Sequence, residues 1–104
     1  MAGSDRWEKC SCADKAVDLY VTLDWSEKRL DASMSTLVLP KRLMLKDIQK
    51  VEEICGIDLS DVKELVEMGY AASERESYKK AAVAFSLAKA ELRYKLSECA
   101  KTKF

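Results

Sequence analysis

The chain contains no histidine. That removes the commonest general base, the Ser–His and Cys–His nucleophile pairs, and the commonest metal ligand. Three glycines and one proline are too few for a turn-rich β sandwich and point to helices instead. No apolar run approaches the ~18 residues of a membrane span. The opening MAGSDRWEKC lacks the apolar stretch of a secretory signal. A cytoplasmic protein without a membrane partner is therefore expected. Net charge is also missing: 18 basic residues balance 18 acidic ones. A strongly basic nucleic-acid-binding domain would not show this balance.

What is present suits one modest globular domain. The chain has 104 residues, 48% hydrophobic and 35% charged. The charge is uneven along it. Residues 13–40 carry three basic and five acidic groups, residues 41–69 five and seven, and residues 70–104 eight and four. The basic final third reads as the solvated face of a long helix, whose late Lys and Arg complement its dipole.

Residues 1–12 read as a polar N-terminal arm, and 13–104 as a single helical domain. Residues 17–25, VDLYVTLDW, carry two patterns. Val17, Leu19, Val21, Leu23 and Trp25 alternate with polar residues, as in a half-buried strand. Ala16, Tyr20, Leu23, Leu30, Met34 and Leu37 also fall on a helical stripe. The segment 16–25 stays open between the two, and 27–34 leans to helix. STLVLP, residues 35–40, is a short strand or an extended linker, and Pro40 suits the first turn of the helix that follows. Leu43, Leu45, Ile48, Val51 and Ile54 mark a helix over 41–55, ended by Gly56 as a left-handed cap. Asp58 or Ser60 caps a third helix, 60–73, with Val62, Leu65, Val66 and Met68 inward. The fourth runs over about 76–99.

Within that fourth helix YKKAAVAFSLAKAEL, residues 78–92, is apolar on almost every side. Ala81, Ala82, Ala84, Ala88 and Ala90 let neighbouring backbones approach, and Tyr78, Val83, Phe85, Leu87 and Leu92 fill the gaps. This helix is expected to be the central pillar, touched on two or more sides. A chain this short has few helices to cover it, so a homodimer is expected, with 76–99 or 16–39 at the interface.

The four cysteines are Cys10, Cys12, Cys55 and Cys99. C-x-C with two distant singles does not match the paired knuckles of a four-cysteine zinc site. Cys55 and Cys99 fit core positions, and in a cytosolic protein thiols stay reduced; the alternative is one disulfide tying the arm to the bundle. Carboxylate pairs such as Glu52 with Glu53 and Asp58 with Asp61 sit at helix ends, where they cap and meet the dipole. CGIDL and MGY lack phosphate-loop spacing. No catalytic residue, metal ligand or cofactor site is assigned, and no enzyme is expected. Trp7, Trp25 and Tyr70 find no assigned core place and are the candidate partner-binding residues, because aromatic anchors dominate interface energetics; the alternative for Trp25 and Tyr70 is that they cap the ends of the small core.

Two family resemblances overlap. Leu65, Met68-Gly69 and Ala72, then Tyr78, Ala81, Phe85 and Ala88, resemble a single tetratricopeptide repeat, two antiparallel helices with small and aromatic residues at fixed places. Ala72 stands where an aromatic is usual and Arg93 where a closing proline is usual, and no second copy lies 34 residues back. The resemblance implies binding of a peptide or helix without chemistry. Leu39-Pro40, Leu43, Gly56-Ile57, Ser60 and Val62 resemble ribbon–helix–helix proteins, whose paired strands enter the DNA major groove. That resemblance would give nucleic-acid contacts to Thr36, Val38, Lys41 and Arg42. The strand offers no Arg, Lys, Asn or Gln to read base edges, and the following helix SDVKELVEM is acidic. The sequence therefore leads to a mostly α fold, a small three- to four-helix bundle with room for one short β segment near 17–23 or 35–39. Its expected function is a non-enzymatic protein–protein interaction module: a small adaptor, inhibitor or assembly factor. The alternative is a ribbon–helix–helix DNA-binding transcriptional regulator.

Overall fold

The computed structural model describes the backbone of residues 13–32 and 39–101, and the side chains of 15–32 and 39–97. Four α-helices account for almost all of it: α1 (Ala13–Asp31), α2 (Lys41–Cys55), α3 (Ser60–Glu74) and α4 (Tyr78–Lys101). The small helical bundle is as expected, and no strand occurs among the described residues.

The β segment near 17–23 does not form, because 17–25 lies inside α1. A strand there would need a partner for its backbone groups. A helix satisfies them internally and buries Ala16, Leu19, Leu23 and Leu30 on one side. Two side chains assist: Thr22 Oγ1 donates to the Asp18 carbonyl at 2.9 Å, and the buried Ser26 Oγ to the Thr22 carbonyl at 3.0 Å. The alternation of VDLYVTLDW is thereby split. Leu19 and Leu23 face in, while Val17, Val21 and Trp25 face out. The other proposed β segment, near 35–39, lies outside the described residues except for Leu39.

Local signals set the helix ends. Pro40, extended at φ −60° and ψ 151°, is the N-cap of α2, and its carbonyl accepts from the Met44 N–H at 3.0 Å. Gly56 closes α2 in the left-handed region, at φ 66°, with its N–H on the Glu52 carbonyl. Glu52 then holds the α2–α3 corner. One carboxylate oxygen accepts from the Leu59 N–H at 2.7 Å, and the other pairs with Lys63 at 2.5 Å. Asp58 accepts both the N–H and the hydroxyl of Ser60, which holds its carboxyl below the usual range. The α3–α4 turn is tighter. Glu76 takes φ 62°, Ser77 N–H returns to the Ala72 carbonyl, and Glu76 N–H to that of Ser73.

α4 is the pillar, packed chiefly against α3 on one side and α1 on another, while α2 lies more lightly against α1 and α3. Phe85 sits at its centre, fully buried. Gly69 makes that possible: a Cβ there would come within 2.6 Å of the Phe85 ring. Tyr70 packs its edge on the same ring, centroids 5.6 Å apart at 69°. Leu23, Leu30, Met44, Ile48, Leu59, Val62, Val66 and Leu92 complete one core drawn from all four helices. Burying each large side chain is worth roughly 1.5–3 kcal/mol.

Candidate functional site

α1 and α4 each have a second apolar face. On α1 it is Val17, Val21 and Trp25, spaced four residues apart and 54%, 44% and 56% exposed. On α4 it is Val83, Leu87 and Tyr94, 58%, 52% and 56% exposed, with the exposed Ala90 between. Such spacing puts each set in one row along its helix. The α4 row lies opposite the buried Ala81, Phe85, Ala88 and Leu92. The remaining large exposed apolar residues, Leu43, Ile54 and Met68, are spread over α2 and α3.

A charged seam fixes the two helices side by side. Lys89 of α4 lies 2.7 Å from Asp24 Oδ1 and 2.6 Å from Glu27 Oε1 of α1, with only 15% of its side chain exposed. Its ammonium also sits 5.6 Å from the Tyr20 ring centroid. Lys28 adds a 3.0 Å pair with Asp24 from within α1. The hydrogen bond from Lys89, then that from Lys28, holds the Asp24 carboxyl below its ordinary value. Burial alone would lower the Lys89 pKa, but the bonds to Asp24 and Glu27 outweigh it and push the ammonium up. By helical phase, Val17 and Val21 neighbour Asp24 on the α1 surface, seven and three residues before it. Ser86 likewise separates Lys89 from Val83 on α4. The α1 row therefore borders the seam, while the α4 row lies further round its helix, beyond Ser86.

The sequence-predicted site residues are scattered by comparison. Trp25 is exposed and central to the α1 row. Tyr70 is not available to a partner: it is 7% exposed, donates its hydroxyl to the Leu39 carbonyl, and burial raises its pKa to about 12. Its ring packs against Phe85, in keeping with the alternative that it caps the core. Trp7 lies outside the described residues, as do Thr36 and Val38. Lys41 and Arg42 are exposed in the first turn of α2. Arg42 borders an open groove of about 570 Å³ between α2 and α3, lined also by Leu43, Leu45, Lys46, Gln49, Lys63 and Glu67. The groove's charged residues are of both signs.

Sequence reasoning missed five residues of the face: Val17, Val21, Val83, Leu87 and Tyr94. The signal was there, in the double reading of 17–25 and the all-round apolar character of 78–92. Both mean a helix with apolar residues on two faces, and only packing shows which face is left over.

Cys55 corrects a further expectation. It is half-buried against the core but disulfide-bonded rather than a free thiol. The other three cysteines lie beyond the described side chains. Among the described residues no three His, Cys, Asp or Glu converge to hold a metal ion, and no helix is long and apolar enough to cross a membrane. Searches against family models, curated proteins and solved structures found no match to this chain.

Proposed function

We propose that this protein is a non-enzymatic protein-binding module, acting as a small adaptor, inhibitor or assembly factor through the outer face of α1 and α4. The carrying observation is the pair of exposed apolar rows, Val17–Val21–Trp25 and Val83–Leu87–Tyr94, on two helices locked side by side by Lys89. Single exposed apolar side chains need no explanation, but rows of them flanked by polar groups mark interaction surfaces. Trp25 and Tyr94 supply the aromatic anchors that interface centres favour. Exposed apolar rows along helices suit another helical surface better than a small molecule, whose sites are concave. A cytoplasmic location rests on the sequence alone, and the disulfide at Cys55 counts against it, because cytosolic thiols are kept reduced.

The test is affinity capture with the native chain and with a Trp25→Glu/Leu87→Glu variant, compared by quantitative mass spectrometry. Proteins held by the native chain and lost by a variant of unchanged helix content support the reading. Identical sets with both baits would exclude this face. A gel shift at two salt concentrations separates the DNA-binding alternative, since phosphate contacts make affinity fall steeply with salt.

A further inference from the structure

α2 is the least firmly held helix of the bundle. It buries only Met44, Ile48 and Val51. Its packing is light against α1 and α3, and lighter still against the α4 pillar. Open grooves run along both flanks, one of about 570 Å³ toward α3 and one of about 170 Å³ toward α1. Its polar fastenings lead to α3. Tyr70 donates to the Leu39 carbonyl just before α2 begins, and Glu52 ties its last turns to Leu59 and Lys63. Among the described residues no hydrogen bond or ion pair crosses from α2 to α1 or α4. The disulfide at Cys55, the final residue of α2, does what those bonds do not. The other cysteines of the chain are Cys10 and Cys12, before α1, and Cys99, in the last turns of α4. The bridge therefore ties the end of α2 to the part of the chain that carries α1 or α4.

We infer that the disulfide at Cys55 is a redox latch on α2: oxidised, it holds the helix closed on the bundle, and reduced, it lets α2 open as a unit while α1, α3 and α4 stay packed. A disulfide keeps its two Cα atoms within about 7 Å, so the end of α2 cannot part from its bridged partner while the bond stands. Gly56 is placed to be the hinge. It takes φ 66° directly after α2, and no atom lies within 4 Å of where a Cβ would stand. The other three helices keep a core of their own in Leu23, Leu30, Val66, Phe85 and Leu92, and the Lys89 seam still joins α1 to α4. Local opening is drawn from elements with few buried contacts, and thiol–disulfide chemistry is one way to bias such an element. Reduction consumes one external dithiol. Its thiolate attacks a sulfur of the bridge to give a mixed disulfide, and its second thiol then closes on the first and releases the protein sulfur. Two electrons and two protons pass to Cys55 and its partner, which become thiols, and the dithiol leaves as a disulfide. Opening uncovers Met44, Ile48 and Val51, an apolar surface hidden in the oxidised chain. The latch acts on α2 and is independent of the apolar rows of α1 and α4.

Hydrogen–deuterium exchange read by mass spectrometry tests it on the full chain, with and without dithiothreitol. After reduction the amides of α2 should exchange roughly tenfold faster, and those of α3 and of α4 around Phe85 should change by less than about twofold. Cys55→Ala should show the fast α2 exchange in both conditions, because it removes this bridge and no other. A disulfide that only restrains the unfolded chain acts on the whole fold at once. Reduction would then speed the slowest amides of all four helices alike, or lower the helix content of the whole chain by circular dichroism, and either result overturns the latch. So does α2 exchange that reduction leaves unchanged, or a Cys55→Ala chain whose α2 exchanges as slowly as that of the oxidised native chain.

Discussion

α1 and α4 differ from α2 and α3 in how many faces they bury. α2 sends Met44, Ile48 and Val51 into the core, and α3 sends Val62, Val66 and Tyr70. Their outer surfaces are polar, with Leu43, Ile54 and Met68 standing singly. α1 and α4 bury one face as fully and then carry a second apolar row outside. One hydrophobic stripe is what folding a surface helix requires. A second stripe adds nothing to the isolated bundle, and the binding proposed above would give it a cause.

The sharpest break in the comparison lies within α4. Phe85→Ala should cost about 3–5 kcal/mol in urea melts, because it opens a cavity that the small core cannot close. Leu87→Ala, two residues on, should cost under about 0.5 kcal/mol at concentrations where the chain is monomeric. Equal losses would mean that the two faces of α4 are not distinct.

The next effect is at Gly69. Alanine is the better helix former by about 1 kcal/mol, yet Gly69→Ala pushes a methyl group into the Phe85 ring and should destabilise by about 1–3 kcal/mol. A Gly69→Ala/Phe85→Leu double variant should recover part of the loss. A stabilising Gly69→Ala would show that α3 and α4 are less closely packed than this.

Much of this was legible in the sequence, and the reasons are specific. Gly56, Pro40 and Asp58 are local signals, and each acts where it stands. The α4 pillar could be read from alanines spaced around the helix. Gly69 could be read as a point of close approach, but its contact with Phe85 required packing. Residues 17–25 could not be decided, because a helix with two apolar faces and a half-buried strand share the same alternation. Tyr70 stayed open between partner contact and core cap for a similar reason: nothing local tells a ring that closes a core from one that leaves it. The Lys89–Asp24–Glu27 seam was invisible, since 62 to 65 residues of chain separate the partners.

The seam itself should show a smaller effect of defined sign. Lys89→Met removes the ion pairs and should cost about 1–3 kcal/mol, as for other hydrogen bonds to charged groups. The carboxyl of Asp24 is held below 3.8, so its contribution is complete above that value and lost as pH falls further. The Lys89 ammonium is held above 10.5, so its contribution is present below that pH and lost as pH rises past it. Stability should therefore fall less between pH 4 and pH 2 in Asp24→Asn than in the native chain. Equal acid sensitivity would detach the seam from the fold. The smallest effect belongs to Met68→Lys on α3, which should leave both stability and mass unchanged, within about 0.5 kcal/mol. A loss of association there would move the interface away from α1 and α4.

Trp25 reports most directly on the second face, since it is 56% exposed in the single chain and lies in the α1 row. In a Trp7→Phe background its emission can be followed as the protein is concentrated. The account predicts a shift to the blue that tracks the change in mass, as the indole leaves water at the expected interface, and no shift in the same background carrying Leu87→Glu. Emission that stays at the solvent-exposed position while the mass doubles would contradict it.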